Sequence, residues 1–175
     1  ESRAVKLNDG HTMPIIGLGV FMLDNQQAEA AVLTALKDGY RLIDTAHIYG
    51  NEEAVGRAIK QSGIPRNQIF LTTKLWMADF PRAAAEIDAM LKRLDIVLLH
   101  HPAAHDADAY KAMEAAVKAG KIRSIGLSNY YEKEFADIMK TATIPPAVVQ
   151  NETHPYNQWR TLKPTFARYG TVPEA

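Results

Sequence analysis

Four side chains able to move or hold a proton stand at the ends of three short apolar runs. Asp44 closes Leu42-Ile43-Asp44, and Tyr49 follows in a turn-like segment just before Gly50-Asn51. Lys74 closes the run Ile69-Phe-Leu-Thr-Thr, and His100 closes Ile96-Val-Leu-Leu. A free phenol has a pKa of about 10, too weak an acid near neutral pH. An ammonium beside it favours the phenolate and lowers that value. An aspartate can pin the ammonium and keep it charged, and an imidazole can donate to an oxygen that gains negative charge. The set therefore suits delivery of a proton to oxygen. In a parallel α/β protein the strand ends share one face, where chemistry usually lives.

Each residue also has a plain reading. Asp44 could cap a turn or the next helix. Tyr49 could be a surface aromatic, Lys74 a cation reaching along the surface, and His100 a histidine at a core edge. The pattern of all four at strand ends is what favours chemistry.

The elements that would position them repeat along the chain. Val5 to Met13 holds Asp9-Gly10 between two alternating runs, a hairpin signal. Ile15–Phe21 reads as a strand with glycines inside it. Gln26–Lys37 has Ala30, Leu33 and Leu36 at helical spacing, with Gly39 suited to its C-terminal end. Strand-like and helix-like segments then alternate: Arg41–Asp44 with Glu52–Ser62, Ile69–Lys74 with Pro81–Leu94, and Ile96–His100 with Ala107–Ala119. Ser124–Leu127 with Lys133–Thr141 and Val148–Asn151 with Leu162–Tyr169 continue the series, and Thr171–Ala175 begins a further strand. This alternation predicts βαβ units and a parallel sheet covered on both faces. Leu94-Asp95 joins a helix pattern to a strand almost without a loop, whereas such connections take about 2–6 residues. Either the helix ends early or residues are missing there, and the second is favoured.

Composition narrows the function classes. The 175 residues, 47% of them hydrophobic, suffice for one domain with a sizeable core. Basic and acidic residues balance at 20 each, so charge gives no reason to expect nucleic acid or a membrane surface as partner. There are no cysteines, which excludes disulfides and thiolate chemistry. No apolar span could cross a bilayer and no secretory leader pattern opens the chain, so a cytoplasmic protein is the default. His100 and His101 are adjacent, but neighbours on a strand point to opposite faces and no carboxylate spacing completes a metal site. No metal is expected. His47 and His105 read as loop surface. Gly17-x-Gly19 lacks the third glycine and distant acid of a dinucleotide fingerprint.

Five ordered motifs now carry a resemblance. Asp44-Thr-Ala-x-x-Tyr49-Gly-Asn-Glu, Thr73-Lys74-Leu-Trp76, Leu99-His100-x-Pro102, Gly120-Lys-Ile-Arg-x-Ile-Gly-x-Ser128-Asn129 and Gln150-x-Glu-x-His154-Pro-Tyr156 are similar to the aldo-keto reductase family. The opening Leu7-Asn-Asp-Gly-x-x-Met-Pro with Gly17-Leu-Gly19 resembles it too. The resemblance implies a (β/α)8 TIM barrel, of which residues 1–175 would form a single incomplete domain. The N-terminal hairpin and about the first seven βα units would be present. It implies reversible, NADPH-dependent reduction of an aldehyde or ketone, NADH being an allowed substitute. A small-molecule carbonyl compound would be the partner, with no nucleic acid or membrane; oligomeric state is left open.

By the same resemblance Asp44, Tyr49, Lys74 and His100 form the catalytic tetrad, with Tyr49 as proton donor. Ser128, Asn129 and Gln150 would orient the nicotinamide, joined by Gly19, Val20 and Asp44. Phe21, Trp76 and His101 would line the substrate pocket. The chain departs from the family in three places. The short loop expected near Leu94–Asp95 is missing. His101 stands where Trp or Gln is usual. The sequence ends at Glu174-Ala175, before the eighth strand and the basic segment that grips the cofactor's 2'-phosphate. A catalytically silent barrel fragment, or a binding protein on the same fold, is the alternative, and the intact mass of the purified chain separates it. A different chemistry on the same barrel is a third, weaker possibility.

Overall fold

The computed structural model describes residues 3–90 and 94–175. The chain opens with an antiparallel hairpin, β1 (Ala4–Lys6) and β2 (Thr12–Pro14), in register from Ala4 opposite Pro14 to Lys6 opposite Thr12. Asp9-Gly10 makes the turn, and Gly10 adopts φ 91°, which glycine takes without steric cost.

Among the described residues seven parallel strands then follow in chain order. They are β3 (Leu18–Gly19), β4 (Leu42–Asp44), β5 (Phe70–Leu75), β6 (Leu94–Leu99), β7 (Ile122–Ser128), β8 (Val148–Gln150) and β9 (Val172–Glu174). The intervening helices are α1 (Asn25–Lys37), α2 (Glu52–Gln61), α3 (Ala83–Ala89), α4 (Asp106–Lys118), α5 (Glu132–Met139) and α6 (Lys163–Tyr169). Each strand pairs with its successor, the order of a curled barrel sheet.

Side chains alternate along each strand, and the alternation divides the core in two. Leu42, Phe70, Ile96, Leu98 and Val148 pack with Leu7 and Met13 of the hairpin. Their chain neighbours Ile43, Leu71, Val97, Leu99 and Val149 pack with the apolar helix faces. The first set faces the inside of the curled sheet, and the hairpin covers its N-terminal end. Ser124 donates to Asp9 Oδ2 at 2.5 Å, and Asn8 Nδ2 donates to the carbonyls of Pro146 and Tyr169 at 3.0 Å each. Inside, β7 and β8 run so close that a Cβ on Gly126 would lie 2.4 Å from the Val148 carbonyl oxygen. β3 and β9 are the sheet edges, and a cavity of about 610 Å³ lies between them.

Several elements differ from expectation for local reasons. The first inner strand is limited to Leu18–Gly19, which pair with Ile43 and Asp44. Ile15 instead donates to the Arg3 carbonyl, extending the hairpin. Helix α1 is capped reciprocally by Asp24 and Gln27. It buries Ala28, Val32, Ala35 and Leu36, a face rotated from the expected Ala30-Leu33-Leu36. The expected helix 81–94 shrinks to Ala83–Ala89. A 3₁₀ stretch, Met77–Arg82, precedes it, since Pro81 has no N–H for a helical bond. Met90 is already extended, so the helix does end early; residues 91–93 lie outside the described residues. β6 starts at Leu94 and stops at Leu99, leaving His100 just beyond the strand.

Candidate active site

The inner-face alternation brings the site together. Counting in twos from the inner residues, Leu42 leads to Asp44, Phe70 to Lys74, Gly126 to Ser128 and Val148 to Gln150. These four lie at the C-terminal ends of parallel strands, and His100 follows directly on the end of β6.

Lys74 is 1% exposed. Its Nζ donates to Asp44 Oδ1 at 2.5 Å and to the Thr45 carbonyl at 3.0 Å. The other carboxylate oxygen of Asp44 accepts from Gln150 Nε2 at 2.9 Å. Lys74 Nζ lies 5.3 Å from the centre of the Tyr49 ring. Tyr49 ends a 3₁₀ turn, His47–Tyr49, that Gly50 closes with φ 67°. Asn51 staples this turn. Its Oδ1 accepts from Thr45 Oγ1 at 2.7 Å, and its Nδ2 donates to the Val20 and Leu23 carbonyls at 3.0 and 3.1 Å. The loop after β3 and the loop after β4 are thus tied together.

The Tyr49 phenol does not follow the simple expectation. Burial raises its pKa, and the Asp44 charge adds to that. The Lys74 charge and hydrogen bond pull it down without reversing the result. The free phenol therefore keeps its proton at neutral pH. His100 moves the other way, down to about 4, from burial first and then the Lys74 and His101 charges. It is a neutral imidazole near neutral pH, with a buried Nδ1 that finds no hydrogen-bond partner among the described residues. A histidine with a lowered folded pKa binds fewer protons folded than unfolded, so stability rises with pH across that interval. The chain is expected to lose stability as pH falls from about 6.5 toward 4. His100→Asn is expected to flatten that dependence in denaturant titrations taken at successive pH values. A wild-type slope surviving in the variant would assign it to other groups.

His100 and His101 overturn the expected opposite orientation. Both lie past the end of β6, where strand alternation no longer applies, and their rings stack with centres 5.1 Å apart and planes 11° apart. Trp76 stands edge-on to both, at 5.2 and 5.8 Å. Tyr49 meets His100 edge-on at 5.7 Å and Phe21 at 5.1 Å. Phe21 is 65% exposed and forms an outer rim. The aromatic residues expected to wall a pocket therefore surround the phenol and the imidazole.

Asn129 has φ 60°, a turn conformation asparagine tolerates. Its Nδ2 donates to the His100 carbonyl at 2.9 Å and to Ser128 Oγ at 3.1 Å, which leaves the Ser128 hydroxyl hydrogen to donate elsewhere. Gly19 and Val20 separate in character. A Cβ on Gly19 would meet nothing within 4 Å, so the end of β3 borders open space. Val20 is fully buried, its N–H bonded to the Asp44 carbonyl and its carbonyl to Asn51. It shapes the loop and offers no spare backbone group.

The sequence reading missed three contributors. Thr45 and Asn51 lie inside a motif it quoted, and their buried hydrogen bonds emerge only from folding. Glu174, two residues beyond inner-facing Val172, follows the same count in twos that locates the others. His47 is also less idle than expected. Its Nδ1 sits 2.7 Å from Asp79 Oδ2, and Glu86 completes a cluster with ligand-like spacing. Arg82 ion-pairs with Glu86 at 2.9 Å and lies 3.9 Å from Asp79, and the Trp76 N–H binds the Asp79 oxygen that faces His47. These contacts already engage the oxygens of both carboxylates.

Residues 15–172 match the model of the aldo/keto reductase family. An aldo-keto reductase of Mycobacterium sp. (strain MCS) is 43% identical over 98% of this chain and 64% of its own length. That match runs over 182 positions, more than the 175 residues present, so the relative carries residues within the span that this chain lacks. Glyoxal reductase of Bacillus subtilis (strain 168) is 43% identical over 86% of this chain and 58% of its own length. The crystal structure of a Bombyx mori aldo-keto reductase in complex with NADP superposes with a TM-score of 0.91 at 28% identity, covering all of this chain and 66% of that one. The chain belongs to the aldo/keto reductase family. It spans about three-fifths to two-thirds of the length of these relatives. Among the described residues, no helix is long and apolar enough to cross a membrane.

Proposed function

We propose that this protein reversibly reduces the carbonyl group of a small aldehyde or ketone to an alcohol with a nicotinamide cofactor, NADPH in preference to NADH. The observation that carries the reading is the buried Lys74–Asp44 pair set against the Tyr49 ring, with His100 edge-on to the same ring.

The residues present fit the nicotinamide end of such a cofactor. The end of β3 at Gly19 borders open space, and Ser128 keeps a hydrogen to donate. Asn129 and Gln150 bring amide groups to the same rim, and a planar carboxamide needs donors and acceptors of this kind. When bound, the nicotinamide supplies the hydride that reduces the carbonyl carbon. Phe21, Trp76 and His101 wall the substrate's side of the site.

Tyr49 Oη gives its proton to the carbonyl oxygen. The raised pKa keeps that proton on the phenol beforehand, and Lys74 stabilises the phenolate once the proton has left. Asp44 and the Thr45 carbonyl hold the ammonium in place. Neutral His100 donates an N–H to the same substrate oxygen and orients it. The Bacillus subtilis relative is named for glyoxal, and the Bombyx mori relative was crystallised with NADP, which supports both choices.

The purified protein with NADPH and glyoxal is expected to consume NADPH, followed by its near-ultraviolet absorbance, in proportion to enzyme concentration. No consumption with glyoxal or a panel of simple aldehydes and ketones would overturn the reading.

A further inference from the structure

Tyr49 acts from a turn that is bound in two directions. Asn51 ties the end of it to the loop after β3, through the Val20 and Leu23 carbonyls. A second bond, to the segment after β5, comes from His47, the first residue of the same 3₁₀ turn. Its Nδ1 lies 2.7 Å from Asp79 Oδ2. An ionised carboxylate only accepts, so Nδ1 carries the hydrogen and donates. The bond forms with a neutral or a charged ring, because either can carry that hydrogen.

The acceptor is itself held in place. Asp79 is 4% exposed. Its Oδ2 also accepts the Trp76 N–H at 2.9 Å, and its own N–H donates to the Trp76 carbonyl at 2.9 Å. Arg82 stands 3.9 Å from Oδ1. One oxygen therefore receives both the turn that carries Tyr49 and the backbone of Trp76, whose ring is edge-on to His100 at 5.2 Å. The turn has little other support at its start. No side chain caps it, and Ile48 in its middle is exposed. Its backbone bonds run from the Tyr49 N–H to the Ala46 carbonyl at 3.0 Å and from the Gly50 N–H to the His47 carbonyl at 3.2 Å.

We propose that His47 is a positioning residue: through Asp79 Oδ2 it locks the Tyr49 turn to the backbone of Trp76, and so sets the phenol against the carbonyl oxygen it protonates. The inference rests on the reductase reading. A general acid works only within hydrogen-bond reach of the oxygen that takes its proton. Trp76 belongs to the aromatic wall that seats the carbonyl compound, and Tyr49 supplies the proton. Tying both to one buried atom limits how far donor and substrate drift apart. Without the His47 bond the turn keeps its fold but samples more positions, and a smaller share of them is productive.

The test sets two substitutions at one position against each other. His47→Leu keeps bulk and loses the donor. His47→Asn keeps an N–H as close to Cβ as the imidazole Nδ1, so it can still reach Asp79. His47→Leu is expected to lower kcat for reduction about ten-fold, short of the roughly 10²-fold that a full misplacement costs. KM for the carbonyl compound should hardly move, because the Trp76 N–H keeps its acceptor. His47→Asn should recover most of the lost kcat. Asp79→Ala should lose at least as much kcat as His47→Leu and raise KM as well, and adding His47→Leu to it should cost no further turnover. Wild-type kcat in His47→Leu, an equal loss in His47→Asn, or losses that multiply in the double variant would each overturn the proposal. Amide hydrogen exchange of the cofactor-free protein, resolved by nuclear magnetic resonance, reads the turn without turnover. Exchange at Tyr49 and Gly50 should quicken in His47→Leu while the amides of β6 keep their rates, which separates loosening of the turn from loss of the fold. Unchanged exchange at Tyr49 and Gly50 would overturn the locking. Should the wild-type protein reduce no carbonyl compound, the reductase reading fails with that assay, and the exchange rates alone judge the bond.

Discussion

Tyr49→Phe is expected to lower kcat roughly 10²–10⁴-fold, the usual contribution of a positioned general acid. The fold around the substitution should hardly change. The ring keeps its contacts with Phe21 and His100 at 5.1 and 5.7 Å. Lys74 keeps both its carboxylate and its carbonyl acceptor, so removing the hydroxyl leaves no charge stranded. Thermal melting of the variant should therefore lie close to that of the wild type. Cofactor affinity, read by fluorescence titration, should also be preserved, because Ser128, Asn129 and Gln150 are untouched. A variant with wild-type kcat would remove Tyr49 from the reaction. A variant that loses cofactor binding along with turnover would recast Tyr49 as part of the binding surface.

The inner face of the sheet is readable in the sequence, because strand chemistry repeats in twos. Asp44, Lys74 and Gln150 could be placed at strand ends from apolar runs alone, and the strand-helix alternation pointed to their common face. What the runs did not carry was the length of each strand. β6 stops at Leu99, so His100 and His101 leave the alternation and stack. The first inner strand contracts to Leu18–Gly19, its length set by its pairing with Ile43 and Asp44 in another part of the chain. The sign of the Tyr49 shift was equally hidden. The ammonium was visible in the sequence, but the burial that outweighs it comes from the packing of distant elements around the ring. Glu174 was a different kind of omission. Val172 and Glu174 repeat the inner-face spacing of Val148 and Gln150, and the signal was present in a strand that the sequence reading left without a task.

Asp44 and Lys74 are expected to be unequal in stability although both are needed for turnover. Lys74 is 1% exposed, and Asp44 is its acidic partner, with a side chain 15% exposed. Asp44→Ala leaves an ammonium in a site that water does not reach, with only the Thr45 carbonyl to receive it. Breaking a buried pair from that side costs about 3–5 kcal/mol. Lys74→Met removes the deeper charge and fills the same space with an apolar chain. The aspartate left behind keeps its Gln150 hydrogen bond, so the cost should be nearer 1–2 kcal/mol. Both variants should lose reduction, because the phenolate formed at Tyr49 loses either its counter-charge or that charge's anchor. Urea unfolding at neutral pH measures the difference, and equal costs would refute the claim that burial governs the pair. Glu174 adds a coupling to the comparison. With Asp44 gone, its carboxyl loses the like charge that disfavours ionisation, while the attraction of the Lys74 charge remains. Asp44→Ala combined with Glu174→Gln should therefore destabilise by more than the two single changes added together, and strict additivity would mean that the two acids do not share the lysine.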